Sequence, residues 1–182
     1  VFEGTYGDNL NRFVESLIEK FRNEVPAAKE NAELDYADFR DGGMSELIFP
    51  EVEELTVNFQ FVKEKTCVLF ANHFSDIGGV HPNTANKSYV VDITTGKEIP
   101  FESVLAPYGA AKETVVTYAI EKIKEEYAEE LYPFEDDEYL VQQVKSFTEN
   151  NQWYLNDTGV VLFANPYDIA PYAYGMMECI IP

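Results

Sequence analysis

A hairpin near the C-terminus decides the fold class: residues 153–163 read WYLNDTGVVLF. Two short runs of β-branched and aromatic residues flank the polar residues 156–159, and Gly159 stands where a hairpin loop favours a positive φ. A hairpin pairs its strands in antiparallel fashion without a crossover helix. This part of the chain therefore predicts antiparallel sheet, with a last strand over residues 174–181.

The segment before residue 98 predicts a second antiparallel sheet. From Val52 the sequence alternates with a period of two, and the apolar positions of one face are Leu55, Val57, Phe59 and Phe61. Residues 67–74 are mostly apolar on both faces and predict a more central partner strand. A loop over 75–85 and a third strand over 88–93 follow, closed by a turn at 94–97.

Helical spacing of apolar residues appears in both halves of the chain. An amphipathic helix is predicted from residue 9 to Pro26, which marks its end, and a weaker, partly helical segment covers 27–39. Two more helices are predicted over 110–131 and 136–147. The order helix, strands, helices, strands favours an α+β fold with antiparallel sheets packed against two to four helices, and it argues against βαβ winding.

Charge limits the class of partner. The 182 residues include 33 acidic and 13 basic side chains, which gives a net charge of -20. Such a field repels phosphate backbones and anionic lipid, so nucleic acid and membrane surfaces are disfavoured, whereas basic proteins and cations are favoured. The acidity also has a simpler interpretation, namely solubility. No apolar run reaches 18 residues, so this segment predicts no membrane insertion.

Two further features leave alternatives open. The chain begins at Val1 without a signal segment, from which we expect an upstream piece such as a signal peptide, lipoprotein leader, membrane anchor or tag to have been removed. Cys67 and Cys179 lie in apolar, strand-like surroundings. They predict either a disulfide in an oxidising compartment or two buried free thiols.

Two motifs stand out from this generic pattern. The first is Gly78-Gly79-Val80-His81-Pro82-Asn83, followed by SYVVD at 88–92 and TGKEI at 95–99. The second joins WYL at 153–155 and GVVLF at 159–163 to NPYDIAPYAYG at 165–175. Their order and separation over residues 48–182 resemble a pair of bacterial envelope domains of unknown function. That pair occurs in the ectodomain of the anti-sigma factor RsiV and in the N-terminal region of PdaC-type peptidoglycan deacetylases.

The resemblance implies an architecture and a compartment. It divides the chain into an N-terminal domain, 1–98, and a C-terminal domain, 99–182, packed as one unit. The second domain would be similar to a small subdomain of the chaperone and actin-type ATPases, without nucleotide binding, because no glycine-rich phosphate loop with a lysine is present. It also implies an extracytoplasmic location, either secreted or anchored by lipid or a membrane helix. In the RsiV branch the ectodomain binds lysozyme.

This chain departs from those relatives in three ways. It contains neither the sigma-binding segment and membrane helix of an anti-sigma factor nor the metal-binding motifs of a deacetylase domain. Val80 also replaces the alanine that is common at that place in the loop motif. The resemblance therefore carries over the domain pair and leaves its role open.

No catalytic constellation is apparent. His81 beside Asp76 offers a general base, but a histidine in a glycine-rich loop more often fixes the turn. His73 has no ligand partner at metal spacing. The acidic residues of 125–130 and 135–138 suit solvated faces better than a glycosidase pair, and the run 135–138 lacks the ligand pattern of a calcium loop. We therefore expect no enzyme activity, no cofactor and no metal.

Binding residues are expected in two loops. In the second motif, Tyr167, Tyr172 and Tyr174 are held near Pro171 and present amphipathic rings, although packing over the sheet explains them as well. The first motif adds a glycine-rich loop with the candidate residues Gly78, Gly79, His81, Pro82 and Asn83. The predicted function is a non-catalytic extracytoplasmic recognition module for a basic protein such as lysozyme. The alternative is a glycan-binding accessory domain that contacts peptidoglycan.

Overall fold

Two antiparallel sheets and four helices make up the part of the chain that the computed structural model describes, residues 2–41, 52–63, 65–76, 82–132 and 138–182. The helices are α1 (Gly7–Asp41), α2 (Phe101–Leu105), α3 (Lys112–Glu126) and α4 (Glu138–Glu149). The strands are β1 (Val52–Lys63), β2 (Thr66–Asp76), β3 (Asn83–Asp92), β4 (Lys97–Glu98), β5 (Trp153–Leu155), β6 (Val160–Ala164) and β7 (Met177–Ile181). The predicted α+β class with antiparallel sheets is confirmed.

The first sheet has the strand order β1-β2-β3-β4, and every pairing is antiparallel. Its third strand begins at Asn83, five residues before the expected start at Ser88. The prediction of a loop up to residue 85 was therefore wrong at Asn83, which pairs with Ser75 in the ladder. Apart from Ala85, residues 83–87 are polar, so their sequence contains no apolar alternation that would predict a strand. Pairing with β2 supplies the missing stabilisation.

Helix α1 continues through Pro26, where an end was predicted, and reaches Asp41. A proline inside a helix removes one backbone hydrogen bond and crowds the preceding turn. Pro26 is exposed, so that crowding falls on the solvent side. Good helix formers such as Ala27 and Ala28 follow it directly. The helix therefore continues beyond Pro26 despite the free-energy cost of the proline.

The second sheet has the order β5-β6-β7, and the predicted hairpin is present as β5 and β6. The last strand begins at Met177 instead of residue 174, because residues Tyr172–Tyr174 form a 3-10 turn. Helix α3 ends at Glu126 instead of residue 131. The cause is tertiary, since the Tyr127 hydroxyl donates to the Glu178 carbonyl and the Tyr132 N–H donates to the Ile169 carbonyl.

Two hydrophobic clusters hold these layers together. The larger joins one face of the first sheet, through Val68 and Val90, to the helices α2, α3 and α4 and to the second sheet. The smaller lies under α1 and contains Leu10 and Leu69. Cys67 belongs to the smaller cluster and Cys179 to the larger, and both are buried free thiols. The disulfide interpretation was therefore wrong, because different cores bury the two side chains.

None of the helices in the described ranges combines the length and the apolar character that a membrane span requires.

Candidate recognition surface

A tight turn after β6 presents the most unusual residue of the fold. The Asp168 N–H donates to the Asn165 carbonyl over 3.1 Å, and Tyr167 adopts a positive φ of 73°. Proline at the second position and a positive φ at the third fit a type II turn, which normally carries glycine or asparagine at that third position. A tyrosine there costs about 1 kcal/mol of backbone strain. The fold therefore retains an aromatic ring where the backbone disfavours one.

Four tyrosines form what we call the tyrosine surface: Tyr167 in this turn, Tyr172 and Tyr174 in the 3-10 turn that follows it, and Tyr139 on α4. The rings of Tyr167 and Tyr172 lie 5.5 Å apart at 35°. Tyr167 is 46% exposed and Tyr174 is 50% exposed. Tyr139 reaches the surface from α4, and its hydroxyl donates to the Asp168 carbonyl over 3.2 Å. Three of these residues were predicted from the sequence motif.

Tyr139 was missed because it lies on an amphipathic helix, 28 positions before Tyr167 along the chain. On a helix, one half-exposed tyrosine looks like any other residue at the edge of the apolar face. Pro171 is exposed beside the surface, and it precedes the 3-10 turn that carries Tyr172 and Tyr174. Pro166 and Pro171 thus restrict the backbone on both sides of Tyr167.

A half-buried carboxylate, that of Asp168, anchors the turn. One oxygen of Asp168, Oδ2, accepts the Asn165 N–H over 2.7 Å and the Gln152 Nε2 over 2.6 Å. Burial raises the pKa of this carboxyl, while the hydrogen bonds from Asn165 and Gln152 act in the opposite direction. Gln152 itself is buried. The Asn165 bond closes the turn on itself, and the Gln152 bond fixes the turn to the residue that precedes β5 of the second sheet.

Asn165 fixes the same turn to the first sheet. Its Oδ1 accepts the Asn86 backbone N–H over 2.7 Å, and its Nδ2 donates to the Asn86 carbonyl over 3.1 Å. This pair of bonds is the one that a residue of a neighbouring strand would exchange with Asn86. Next along the same edge of β3, the Ser88 N–H donates to the Asn151 carbonyl over 2.6 Å. The loops of the second sheet thus cover the open edge of β3.

The charge of Asp168 makes a pH dependence testable. A carboxyl whose pKa is raised by folding stabilises the fold fully below its unfolded pKa and loses that contribution as pH rises through its folded pKa. Asp168→Asn keeps one acceptor oxygen and removes the charge. We therefore expect this variant to gain stability relative to the parent chain as pH rises from about 3 to about 7, measured by urea unfolding.

Asp168→Ala serves as the comparison, because it leaves both donors without their acceptor and should cost about 2 kcal/mol. A difference in unfolding free energy between the parent chain and Asp168→Asn that stays constant from about pH 3 to about pH 7 would show that the Asp168 carboxyl does not titrate in this range.

The other predicted residues lie elsewhere or outside the described part. Gly78, Gly79 and His81 are outside the described residues; Pro82 directly precedes β3. His73 lies on β2, and its Nε2 is 2.5 Å from Glu53 Oε2. The Ser75 hydroxyl donates to the second oxygen of Glu53 over 2.6 Å. The serine therefore bonds to the carboxylate and not to the imidazole, unlike a nucleophilic triad.

The part of the chain that contains the second sheet is similar to a known protein family. Residues 102–182 match the family model described as "Protein of unknown function (DUF3298)". The matched part runs from α2 to β7 and so contains the whole tyrosine surface. Among curated proteins, nothing matches the chain. The predicted division into domains 1–98 and 99–182, and the predicted similarity to an ATPase subdomain, stay predictions.

Solved structures extend the similarity to the first sheet. A member of the DUF3298 family from Bacteroides fragilis matches with a TM-score of 0.56 and 18% identity, over 94% of this chain and 64% of its own. A DUF3298 family protein from Pseudomonas aeruginosa matches with a TM-score of 0.50 and 14% identity, over 80% of this chain and 65% of its own. At these identities the likeness concerns the fold, and this chain spans about two thirds of either protein.

Proposed function

We propose that this chain is a non-catalytic recognition module of the bacterial envelope, outside the cytoplasm, which contacts a basic protein of the lysozyme type through the tyrosine surface. One observation carries the proposal. The exposed ring of Tyr167 is retained at a strained backbone position, in a turn that Gln152, before β5, and Asn86, on β3, fix in place. Strain of this kind persists where the surrounding structure over-determines it, and it concentrates at functional positions.

The tyrosine surface has the physical properties of a protein-contact patch. Tyrosine supplies a large, amphipathic area and has few rotatable bonds to immobilise on binding. The paired rings of Tyr167 and Tyr172 restrict one another further. The main cost of association is the ordering of mobile groups, so a surface that is already ordered binds more tightly for the same area.

Charge supports a basic partner. The net charge of -20 attracts a positively charged protein over several ångströms and raises the rate of encounter. The motif resemblance adds a second line of support, since the RsiV ectodomain binds lysozyme and three of the four residues of the tyrosine surface, Tyr167, Tyr172 and Tyr174, lie in the second motif. The described residues contain no group of three metal-ligating side chains, and the proposal assigns no chemistry to this surface.

Titration with hen egg-white lysozyme at low salt tests the proposal by calorimetry. We expect measurable heat, and we expect Tyr167→Asn to weaken the affinity roughly 10-fold or more, as the loss of a central aromatic contact does. Asparagine adopts the positive φ more readily than tyrosine, so this variant should unfold at the same urea concentration as the parent chain or a higher one.

Tyr6→Asn is the matched control, because Tyr6 is 39% exposed at the start of α1, far from the turn in sequence. It makes the same chemical change and should leave the lysozyme affinity unchanged. Equal affinities for the parent chain and Tyr167→Asn would refute the role of the tyrosine surface, and the absence of any heat would refute a lysozyme-type partner.

The paired rings favour one alternative, a glycan-binding accessory domain, because aromatic rings also stack on sugars. Co-sedimentation with insoluble peptidoglycan separates the two functions. Charge-steered protein binding should weaken steeply between about 0.02 M and about 0.2 M salt, whereas stacking should persist. Salt-resistant retention that is lost in Tyr167→Asn would replace the basic protein with a glycan as the partner.

A further inference from the structure

A second candidate site lies at the opposite end of the second sheet from the tyrosine surface. The two ends are separated by β6, a five-residue strand that spans about 15 Å. At the hairpin end, residues 156–159, the last residues of β7 and the segment between α2 and α3 enclose a cleft of about 300 Å³. This volume matches the lower range of small-ligand pockets.

The floor of the cleft is apolar and well packed. It is lined by Leu105, Val115 and Val160, which are all buried. Leu155 and Ile181 add half-buried aliphatic side chains to the wall. An apolar body that enters the cleft therefore displaces water from surface that the fold already holds rigid, which favours binding.

The rim carries two groups that favour positive charge. Asp157 is an exposed carboxylate at the tip of the hairpin loop, and Tyr108 is the most exposed large hydrophobic residue of the described part, at 73%. The face of a tyrosine ring attracts cations. Asn156 Oδ1 is occupied by the backbone N–H groups of Thr158 and Gly159, so the loop holds its shape beneath Asp157.

We propose that this hairpin cleft binds a small organic cation, a ligand whose apolar body fills the floor while its ammonium group lies between Asp157 and Tyr108. The acidic charge of the whole chain increases the local concentration of cations, and the apolar floor selects those that carry a hydrophobic body. This site does not depend on the proposed recognition function, since none of its lining residues belongs to the tyrosine surface.

The test uses phenethylammonium as the probe and backbone amide NMR of the whole chain as the readout. We expect saturable shifts confined to residues around the hairpin loop and the start of α3. Two matched compounds separate the contributions: 3-phenylpropionate has the ring with the opposite charge, and ethylammonium has the charge without the ring. Both should bind at least about 10-fold more weakly than phenethylammonium, because the first lacks the positive charge and the second lacks the apolar body.

Variants then locate the contacts. Asp157→Asn and Tyr108→Ala change exposed side chains and should each weaken the probe about 5-fold. Glu121→Gln removes the same charge from the exposed face of α3 and should change nothing. Shifts that spread over α3, that do not saturate, or that ethylammonium reproduces equally would overturn the site, because they indicate general attraction of cations to an acidic surface.

Discussion

Gly159→Ala is expected to destabilise the fold by about 3 kcal/mol or more, the upper range for overpacking. A Cβ at this position would lie 2.9 Å from the Ile181 carbonyl carbon and 3.0 Å from the Pro182 Cα, and it would overlap the Ile181 oxygen. The atoms in the way belong to the backbone of Ile181, the last residue of β7, and of Pro182, and Ile181 cannot move aside without breaking its pairing with Val160 of β6. Urea unfolding followed by circular dichroism measures the loss.

Gly109→Ala is the matched control for this experiment. Gly109 has a φ of 63°, but nothing lies within 4 Å of its missing Cβ. Only backbone strain remains there, and we expect a cost of about 1 kcal/mol. Equal losses of stability in the two variants would contradict the close approach of β7 to the hairpin loop.

Asn165→Ala is expected to cost about 3 kcal/mol and to loosen the contact between the two sheets. The substitution removes the acceptor of the Asn86 N–H and the donor to the Asn86 carbonyl, and both backbone groups are partly buried. Each backbone group that loses its partner costs about 1–3 kcal/mol, less where water can enter. Amide hydrogen exchange should quicken at Asn86, with urea unfolding as the measure of stability.

Asn58→Ala provides the comparison, since Asn58 is exposed on β1; a surface substitution of this kind changes stability by less than about 0.5 kcal/mol. An unchanged exchange rate of the Asn86 amide in Asn165→Ala would show that water replaces the Asn165 side chain. The side chain would then not be required to protect the edge of β3. The same variant should also weaken binding at the tyrosine surface, because Asn165 begins the turn that carries Tyr167.

The polar contacts of the tyrosine surface could not be predicted from the sequence, although the aromatic loop itself could. The motif NPYDIAPYAYG indicated a rigid aromatic loop, because prolines and tyrosines act through local conformation and side-chain chemistry. The bond between Asn165 and Asn86 joins residues 79 positions apart. Asparagine occurs in many turns, so neither residue carries a local signal for its partner. Tyr139 was missed for the same reason.

Two errors in the predicted elements have a common cause: Asn83 was placed in a loop, and α3 was extended to residue 131. Both expectations rested on local preference, which is worth about 1 kcal/mol per residue. Contacts with a neighbouring strand or layer exceed that amount, and they are not local.

The sequence alone determined the class of this protein: period-two alternation, helical spacing and the loop before Gly159 fix an antiparallel α+β fold, because these patterns record which faces are buried. Its charge of -20 likewise determined the kind of partner that long-range forces favour. The tertiary structure decided what lies together. It placed Cys67 and Cys179 in separate cores, closed the edge of β3 with Asn165, and brought Tyr139 of α4 to the turn that carries the strained Tyr167. Such contacts depend on chain closure over long separations, and no local pattern encodes them.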